Sequence, residues 1–145
     1  MNYSHNKRLI LAADDNATDS RILQEAFQDV DTSLEVRFVE DGGELLEYLS
    51  RNSQQTKRPS LVLLDLAMPG VDGRQALAAI KSDQRLRPIP VIVLTGSQEA
   101  QDVSYVYDHG GATYLLKPTS YEELVHTVSI LCRFWFQTSR LPELD

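Results

Sequence analysis

The sequence has little of what marks secreted, zinc-binding or membrane proteins. Its 145 residues include a single cysteine, Cys132, so no internal disulfide can form and nothing indicates an oxidising compartment. The three histidines lie far apart without cysteine companions, which removes the case for a zinc site. No stretch approaches the roughly 18 apolar residues that a membrane span requires, and the apolar run after the polar N-terminus is too short for a signal peptide. We therefore predict a cytoplasmic protein with no membrane partner.

Basic residues are also few, with 14 Lys and Arg against 21 Asp and Glu and a net charge of −7. Proteins that bind nucleic acids do so largely by neutralising phosphates with Lys and Arg. A chain this acidic, without a basic run, is predicted to have no nucleic-acid partner. Its length and its apolar share of 42% instead indicate one globular domain with a hydrophobic core.

Strand-like and helix-like segments alternate along the whole chain. Short apolar runs predict strands over residues 8–13, 34–38, 61–65, 91–95 and 112–117. Apolar residues at helical spacing predict helices in between, the first opened by Asn16 and the fourth closed by Gly110-Gly111. Ser120 and Glu123 have the form of a capping box at the start of the last helix. Five strands alternating with five helices predict an α/β fold, with a parallel sheet covered on both faces.

Polar residues stand where four of these strands end, each following or interrupting an apolar run: Asp14, Asp15, Asp65, Thr95 and Lys117. Ligands of open parallel sheets bind just beyond the carboxyl ends of the strands. Three carboxylates brought together there repel one another unless one is protonated or all share a divalent cation. Hard oxygen ligands of this kind suit Mg²⁺. Taken singly, Asp15 or Asp72 also has a plain interpretation as a helix cap or turn residue, but the complete set favours a functional site.

These residues resemble the receiver domain of two-component response regulators, the CheY-like module. The acidic pair, the strand-ending Asp65, Met68-Pro69-Gly70, Thr95 and Lys117-Pro118 all match, and Thr95 and Lys117 follow at matching separations. The resemblance covers residues 8–136 and leaves tails at 1–7 and 137–145. It implies a flavodoxin-like, doubly wound sheet with the strand order 2-1-3-4-5.

The resemblance also implies a function in a two-component phosphorelay. Asp65 would accept a phosphoryl group from a sensor histidine kinase, and the chain would catalyse only its own phosphorylation and dephosphorylation. Mg²⁺ would be bound by Asp15 and Asp65 directly, by the backbone carbonyl of Ala67, and by Asp14 mostly through water. Thr95 and Lys117 would contact the remaining phosphoryl oxygens, which agrees with the charge neutralisation that phosphoryl transfer needs.

Two further expectations come from the same resemblance. Tyr114 occupies the place of the aromatic switch residue, so Thr95 would move toward the phosphoryl group and the Tyr114 ring would turn inward. The Lys117-Pro118 bond would be cis. Ala67 departs from the family pattern because it offers no side-chain group to the site, so the lifetime of the phosphoryl group cannot be inferred from it.

The last helix carries more apolar residues than one sheet can cover. Five of them form a stripe at helical spacing that is predicted to face the core: Leu124, Val125, Val128, Leu131 and Trp135. Ile130, Phe134 and Phe136 are predicted to point elsewhere, and Tyr105, Val106 and Tyr107 on the preceding helix add to the apolar surface. Such patches usually mark partner surfaces, although the chain end could instead fold back over them.

The ending Phe134-Trp135-Phe136, followed by Leu141-Pro142, is similar to the small response regulators of cyanobacterial phytochromes. The polar loop at 51–59 is similar as well. This likeness implies a light-regulated histidine kinase as phosphodonor and a homodimer built on helix four, strand five and the C-terminal segment. The predicted dimer surface comprises Tyr107, Tyr114, Phe134, Trp135 and Phe136. Because only a short tail follows the domain, we expect its output to come from its own surface.

One alternative from another class stays open, a receiver-like interaction or dimerisation module that is never phosphorylated. It would lack site residues, and this sequence has them all. Flavin binding is disfavoured because Asp14-Asp15 would repel the flavin phosphate. A phosphatase of the haloacid dehalogenase type is disfavoured because Ala67 stands where a second acid is needed.

Overall fold

The computed structural model of the chain describes residues 8–51 and 57–142. The predicted tail at 1–7, the middle of the polar loop and residues 143–145 lie outside the described residues. Five strands are present, β1 (Leu9–Ala13), β2 (Glu35–Val39), β3 (Leu61–Leu64), β4 (Val91–Thr95) and β5 (Thr113–Leu116). They alternate with five helices, α1 (Ala17–Val30), α2 (Gly42–Ser50), α3 (Gly73–Ser82), α4 (Ala100–Asp108) and α5 (Tyr121–Cys132).

The strands form one parallel sheet in the order β2-β1-β3-β4-β5. This confirms the predicted doubly wound, flavodoxin-like topology. The order reverses between β1 and β3, so the crevice beyond their carboxyl ends is where this class of sheet binds ligands.

The alternation of side chains along each strand divides the core into two clusters. On β1, Leu11 and Ala13 pack with α2, α3 and α4 on one face of the sheet. Ile10 and Ala12 pack with α1 and α5 on the other face. The three central strands are buried on both faces, which is why they are nearly continuous apolar runs.

Helix ends agree with the side chains that the sequence places there. Asn16 caps α1 by accepting from the Asp19 N–H at 3.0 Å. Ser120 caps α5 by accepting from Glu123 N–H at 3.1 Å. A reciprocal capping box lies at Asp72 and Gln75 of α3, so the plain interpretation of Asp72 as a helix cap is correct.

The chain beyond α5 continues as a π-helical turn over Arg133–Thr138. Val128 and Leu131 of the predicted stripe are buried, while Ile130 and Phe134 are more than half exposed, as expected. Phe136 was expected to point away from the core, but the π-helical turn brings it back against the α1–α5 cluster, beneath the Arg8 guanidinium. The expectation for Val106 was also wrong, because this side chain is fully buried between α4 and the sheet.

None of the helices within the described part of the chain is both long and apolar enough to cross a membrane.

Candidate functional site

The five polar residues predicted to meet at the carboxyl edge of the sheet do so. Asp14 and Asp15 follow β1, Asp65 follows β3, Thr95 ends β4 and Lys117 follows β5. Asp14, Asp65 and Thr95 are buried, whereas Asp15 is exposed. The neighbouring strands thus bring acids from distant parts of the sequence to one point, as a parallel sheet does at its switch point.

Both carboxylate oxygens of Asp65 accept hydrogen bonds. The Thr95 hydroxyl donates to Oδ1 at 2.7 Å, and the Ala67 N–H donates to the same oxygen at 3.2 Å. Lys117 Nζ donates to Oδ2 at 2.9 Å. Asp65 is therefore held in one orientation by a hydroxyl, an amide and a cation.

A glycine at the start of α3 lets the helix approach the Asp65 backbone. A Cβ atom at Gly73 would lie 2.3 Å from the carbonyl oxygen of Asp65 and 2.6 Å from Cα of Leu66. No side chain can be accommodated at such distances without moving the loop. Gly73 thus fixes where the strand end carrying Asp65 lies relative to α3.

Lys117 is the shared cation of the site. Its Nζ donates to Asp14 Oδ2 at 2.8 Å, to Asp65 Oδ2 at 2.9 Å and to Asp19 Oδ2 at 3.0 Å. Burial by itself lowers the pKa of Lys117, but the three carboxylate hydrogen bonds outweigh it and raise the pKa above its ordinary value. Sequence reasoning missed Asp19, which lies 98 residues from Lys117 and looked like an ordinary acid in the first turn of a helix.

The acidic cluster has the donor set of a hard divalent cation. One carboxylate oxygen from each of Asp14, Asp15 and Asp65 lies within 4.8 Å of the others. Burial raises the pKa of Asp14, although hydrogen bonds from Lys117 and from the Asn16 N–H oppose the rise. The electrostatic repulsion among these carboxylates is reduced by nearby positive charge, which Lys117 supplies. Their geometry suits Mg²⁺ beside Lys117.

One expectation about this site is wrong. The Lys117-Pro118 peptide is trans, as are all peptides of the described residues. The Lys117 N–H donates to the Thr95 carbonyl at 2.8 Å, which fixes the backbone after β5. From there the long, flexible lysine side chain reaches the carboxylates without a cis bond.

Tyr114 connects the site to α4. Its hydroxyl donates to the Ser97 carbonyl at 2.8 Å, two residues after Thr95, and its half-buried ring packs against the core beneath α4. The main-chain N–H of Tyr114, on the edge strand, donates to the Tyr107 hydroxyl at 3.2 Å. The ring is thus turned inward while Thr95 contacts Asp65.

A partly buried charge pair that sequence reasoning missed lies next to Ser97, in the loop after β4. Arg74 of α3 donates from Nε to Asp102 Oδ1 of α4 at 2.9 Å and from Nη2 to the same oxygen at 2.5 Å. The Ser97 hydroxyl donates to Asp102 Oδ2 at 2.5 Å. The hydrogen bond from Ser97 and, to a lesser extent, that from Arg74 lower the pKa of Asp102, although its burial opposes the shift. The pair ties α3, α4 and the loop after β4 together.

A family model of the response regulator receiver domain matches residues 10–129, and the chain belongs to this family. The observed sheet order is the one expected of this family.

Several members of the family are similar over nearly their whole length. Response regulator Rcp1 of Synechocystis sp. is 35% identical over 141 residues, 96% of each chain. The probable methanogenesis regulatory protein FilR2 of Methanothrix harundinacea is 36% identical over 135 residues, 92% of this chain and 87% of its own.

Among solved structures, the phosphorylated cyanobacterial phytochrome response regulator RcpA is 37% identical and has a TM-score of 0.88. The Mn²⁺-bound form of Rcp1 is 35% identical, with a TM-score of 0.84. Both alignments cover 94% of this chain and 99% of the other chain. The predicted similarity to regulators of cyanobacterial phytochromes is confirmed.

Proposed function

We propose that Asp65 accepts a phosphoryl group from a sensor histidine kinase of the phytochrome type, with Mg²⁺, and that the chain signals through the surface of α4, β5 and α5. The observation that carries this proposal is the surroundings of Asp65. Its carboxylate lies between a hydroxyl donor and an ammonium group, at the edge of a cluster of two further acids. Membership of the receiver family and the similarity to Rcp1 and RcpA support the same function.

The transfer step needs little from the chain beyond position and charge. A lone pair of one Asp65 carboxylate oxygen attacks the phosphorus of the phosphohistidine, forming a P–O bond. The P–N bond breaks and its electron pair stays on the imidazole nitrogen, which then takes a proton from water. Lys117 and Thr95 already contact the two Asp65 oxygens, so their donors are placed to meet phosphoryl oxygens as they arrive.

The residues that would hold Mg²⁺ are Asp14, Asp15 and Asp65, with the Ala67 carbonyl. When bound, the ion neutralises phosphoryl oxygens and orients the donor toward the nucleophile. The Ala67 N–H donates to Asp65, so the backbone of Ala67 lies beside the site, and Asp15 is open to solvent for exchange of ligands. A cleft of about 460 Å³ between α1 and α5 reaches Asp14 and Lys117 from outside.

The switch would work through Thr95 and Tyr114. The Tyr114 hydroxyl donates to the Ser97 carbonyl, in the loop that follows Thr95. A shift of Thr95 toward a phosphoryl group would therefore move this loop and, with it, Tyr114 and α4. In this structure the Tyr114 ring points inward while the Thr95 hydroxyl donates to Asp65, so both features occur in the same conformation of the loop.

The partner surface would be apolar and near the end of the chain. The exposed large hydrophobic residues of the described structure all lie in its last third: Tyr107, Leu116, Tyr121, Ile130 and Phe134. Exposed apolar side chains of this size favour a second copy of the chain as partner. Tyr107 and Phe134 would contribute most of the contact area because they are the most exposed of the predicted residues, while the half-buried Tyr114, Trp135 and Phe136 would contribute less.

Phosphorylation is tested by incubating the protein with phosphoramidate and Mg²⁺ and measuring the intact mass. We expect a gain of one phosphoryl group that needs the metal and disappears in Asp65→Asn. No gain in the wild type would favour the alternative of an unphosphorylated interaction module. An equal gain in Asp65→Asn would place the phosphoryl group on another residue, and either result would refute the role of Asp65.

Dimerisation is tested by light scattering over a range of concentrations, with and without beryllofluoride. We expect Phe134→Asp to lower the mass toward that of the monomer. Ala79→Asp on the exposed face of α3 adds the same charge elsewhere and should leave the mass unchanged. A monomeric wild type under all conditions would contradict this part of the proposal. The cytoplasmic location stays a prediction.

A further inference from the structure

The Lys117 ammonium group has three N–H donors, and three different carboxylates accept them. Asp14 and Asp65 are two of these acceptors, and both have another part in the proposed function. Asp19 is the third, and neither the metal cluster nor the phosphoryl acceptor includes it. It belongs to α1, while Lys117 follows β5, so their bond joins two elements across the site.

The two other acceptors do not stay available to Lys117 through the reaction, an argument that rests on the proposed function. A phosphoryl group on Asp65 removes the negative charge of that carboxylate, and a cation bound at the acidic cluster competes with Lys117 for Asp14. Only Asp19 keeps both its charge and its lone pairs for the ammonium group. Without it, the lysine side chain has several rotatable bonds and a route to solvent, since it is 25% exposed.

Asp19 is also well placed to act as an anchor. Its backbone N–H is bonded to the capping side chain of Asn16 at 3.0 Å, in the ordered first turn of α1. The backbone N–H of Lys117 is bonded to Thr95 at 2.8 Å. Both ends of the Asp19–Lys117 contact are therefore fixed by main-chain hydrogen bonds, so the contact restricts where the ammonium group can lie.

We propose that Asp19 is a positioning residue that holds the Lys117 ammonium group beside the phosphoryl oxygens on Asp65. Asp19 does not touch the reacting atoms and acts through Lys117 alone. The side chain of Asp19 is 43% exposed, so the contact has the strength of a partly exposed charge pair. Its loss should slow phosphorylation about fivefold, the factor that corresponds to such a pair.

The first measurement is the initial rate of phosphorylation by phosphoramidate at saturating Mg²⁺. We expect Asp19→Asn to be about fivefold slower and Asp19→Glu to regain most of the rate, because the longer side chain still offers a carboxylate. Glu25→Gln is the matched control, since it removes one charge from an exposed position of the same helix. An Asp19→Asn rate equal to or above that of the control overturns the inference.

The second measurement does not depend on activity. Mg²⁺ is titrated by calorimetry into the wild type, Asp19→Asn, Lys117→Ala and the double variant. A Lys117 that has lost Asp19 competes harder for Asp14 and Asp65, so Asp19→Asn should weaken Mg²⁺ binding about threefold. In the Lys117→Ala background the same change should do no more than Glu25→Gln. Equal weakening in both backgrounds would show that Asp19 acts on the ion by charge alone and would overturn the inference.

These outcomes separate the two proposals. A wild type that takes up no phosphoryl group refutes the proposed function. A wild type that is phosphorylated on Asp65, together with an unaffected Asp19→Asn, refutes only the role of Asp19.

Discussion

Replacing Asp102 by asparagine removes the negative charge from the pair that joins α3 and α4. The Asp102 side chain is 7% exposed and accepts from Arg74 on one oxygen and from Ser97 on the other. Asparagine has the same shape but only one acceptor oxygen. The Ser97 hydroxyl can turn to accept from the new amide, so the amide oxygen can stay with Arg74. What is lost is mainly the charge opposite the guanidinium.

The expected cost follows from the burial of the two partners. Removing one partner of a fully buried pair costs about 3–5 kcal/mol, because the other charge is left uncompensated. Arg74 is 36% exposed and can turn toward water, so the cost should be near the lower end or below it. We expect a loss of about 2 kcal/mol in the free energy of unfolding, which lowers Tm by roughly 6 °C in a chain of this size.

The assay is urea unfolding followed by circular dichroism, with Glu47→Gln as the control. Glu47 forms an exposed pair with Arg51, with side chains 68% and 53% exposed, and its loss should change stability by less than about 0.5 kcal/mol. If Asp102→Asn costs no more than Glu47→Gln, the reasoning from burial is wrong.

The pH dependence gives a second check on the same variant. Hydrogen bonds from Ser97 and Arg74 place the pKa of folded Asp102 below its ordinary value of 3.8. A lowered acid pKa means that the folded state binds the proton less readily than the unfolded state. The stabilisation is therefore complete above the unfolded pKa and is lost as the pH falls through the lower folded one. The difference between wild type and Asp102→Asn should be constant from pH 7 to 5 and shrink below pH 4; a constant difference at all pH values would contradict this assignment.

Two other predictions test the close approach at α3 and the buried thiol. Gly73→Ala should lower the free energy of unfolding in urea by about 2 kcal/mol, because its Cβ would meet the Asp65 carbonyl oxygen. Gly96→Ala is the control, since it has open space around it and should not destabilise the protein. Similar losses for both variants would contradict this prediction. Burial raises the pKa of Cys132 from 9.0 to about 11. At pH 8 the thiol of the folded protein should therefore react with a disulfide reagent about 100-fold more slowly than that of the unfolded protein. A rate in the folded protein close to that in the unfolded protein would contradict this prediction.

Part of the site could be predicted because it follows from local patterns. Apolar runs ending in acids, and helical spacing between them, are enough to place Asp14, Asp65, Thr95 and Lys117 at one edge of a parallel sheet. The partners of these residues could not be predicted in the same way. Asp102 looked like an ordinary acid in the first turn of an amphipathic helix, and only the packing of α4 beside α3 gives it Arg74.

The sequence by itself determined the fold class, the sheet order through its family resemblance, the carboxyl-edge constellation and most helix caps, because these depend on periodicity and on residues close in the chain. Tertiary structure decided which long side chains meet across elements, and so revealed the Asp19–Lys117 contact. It also decided that the peptide before Pro118 is trans, that Val106 is buried and that the turn after α5 returns Phe136 to the core. These features depend on the relative placement of whole helices, which no local pattern contains.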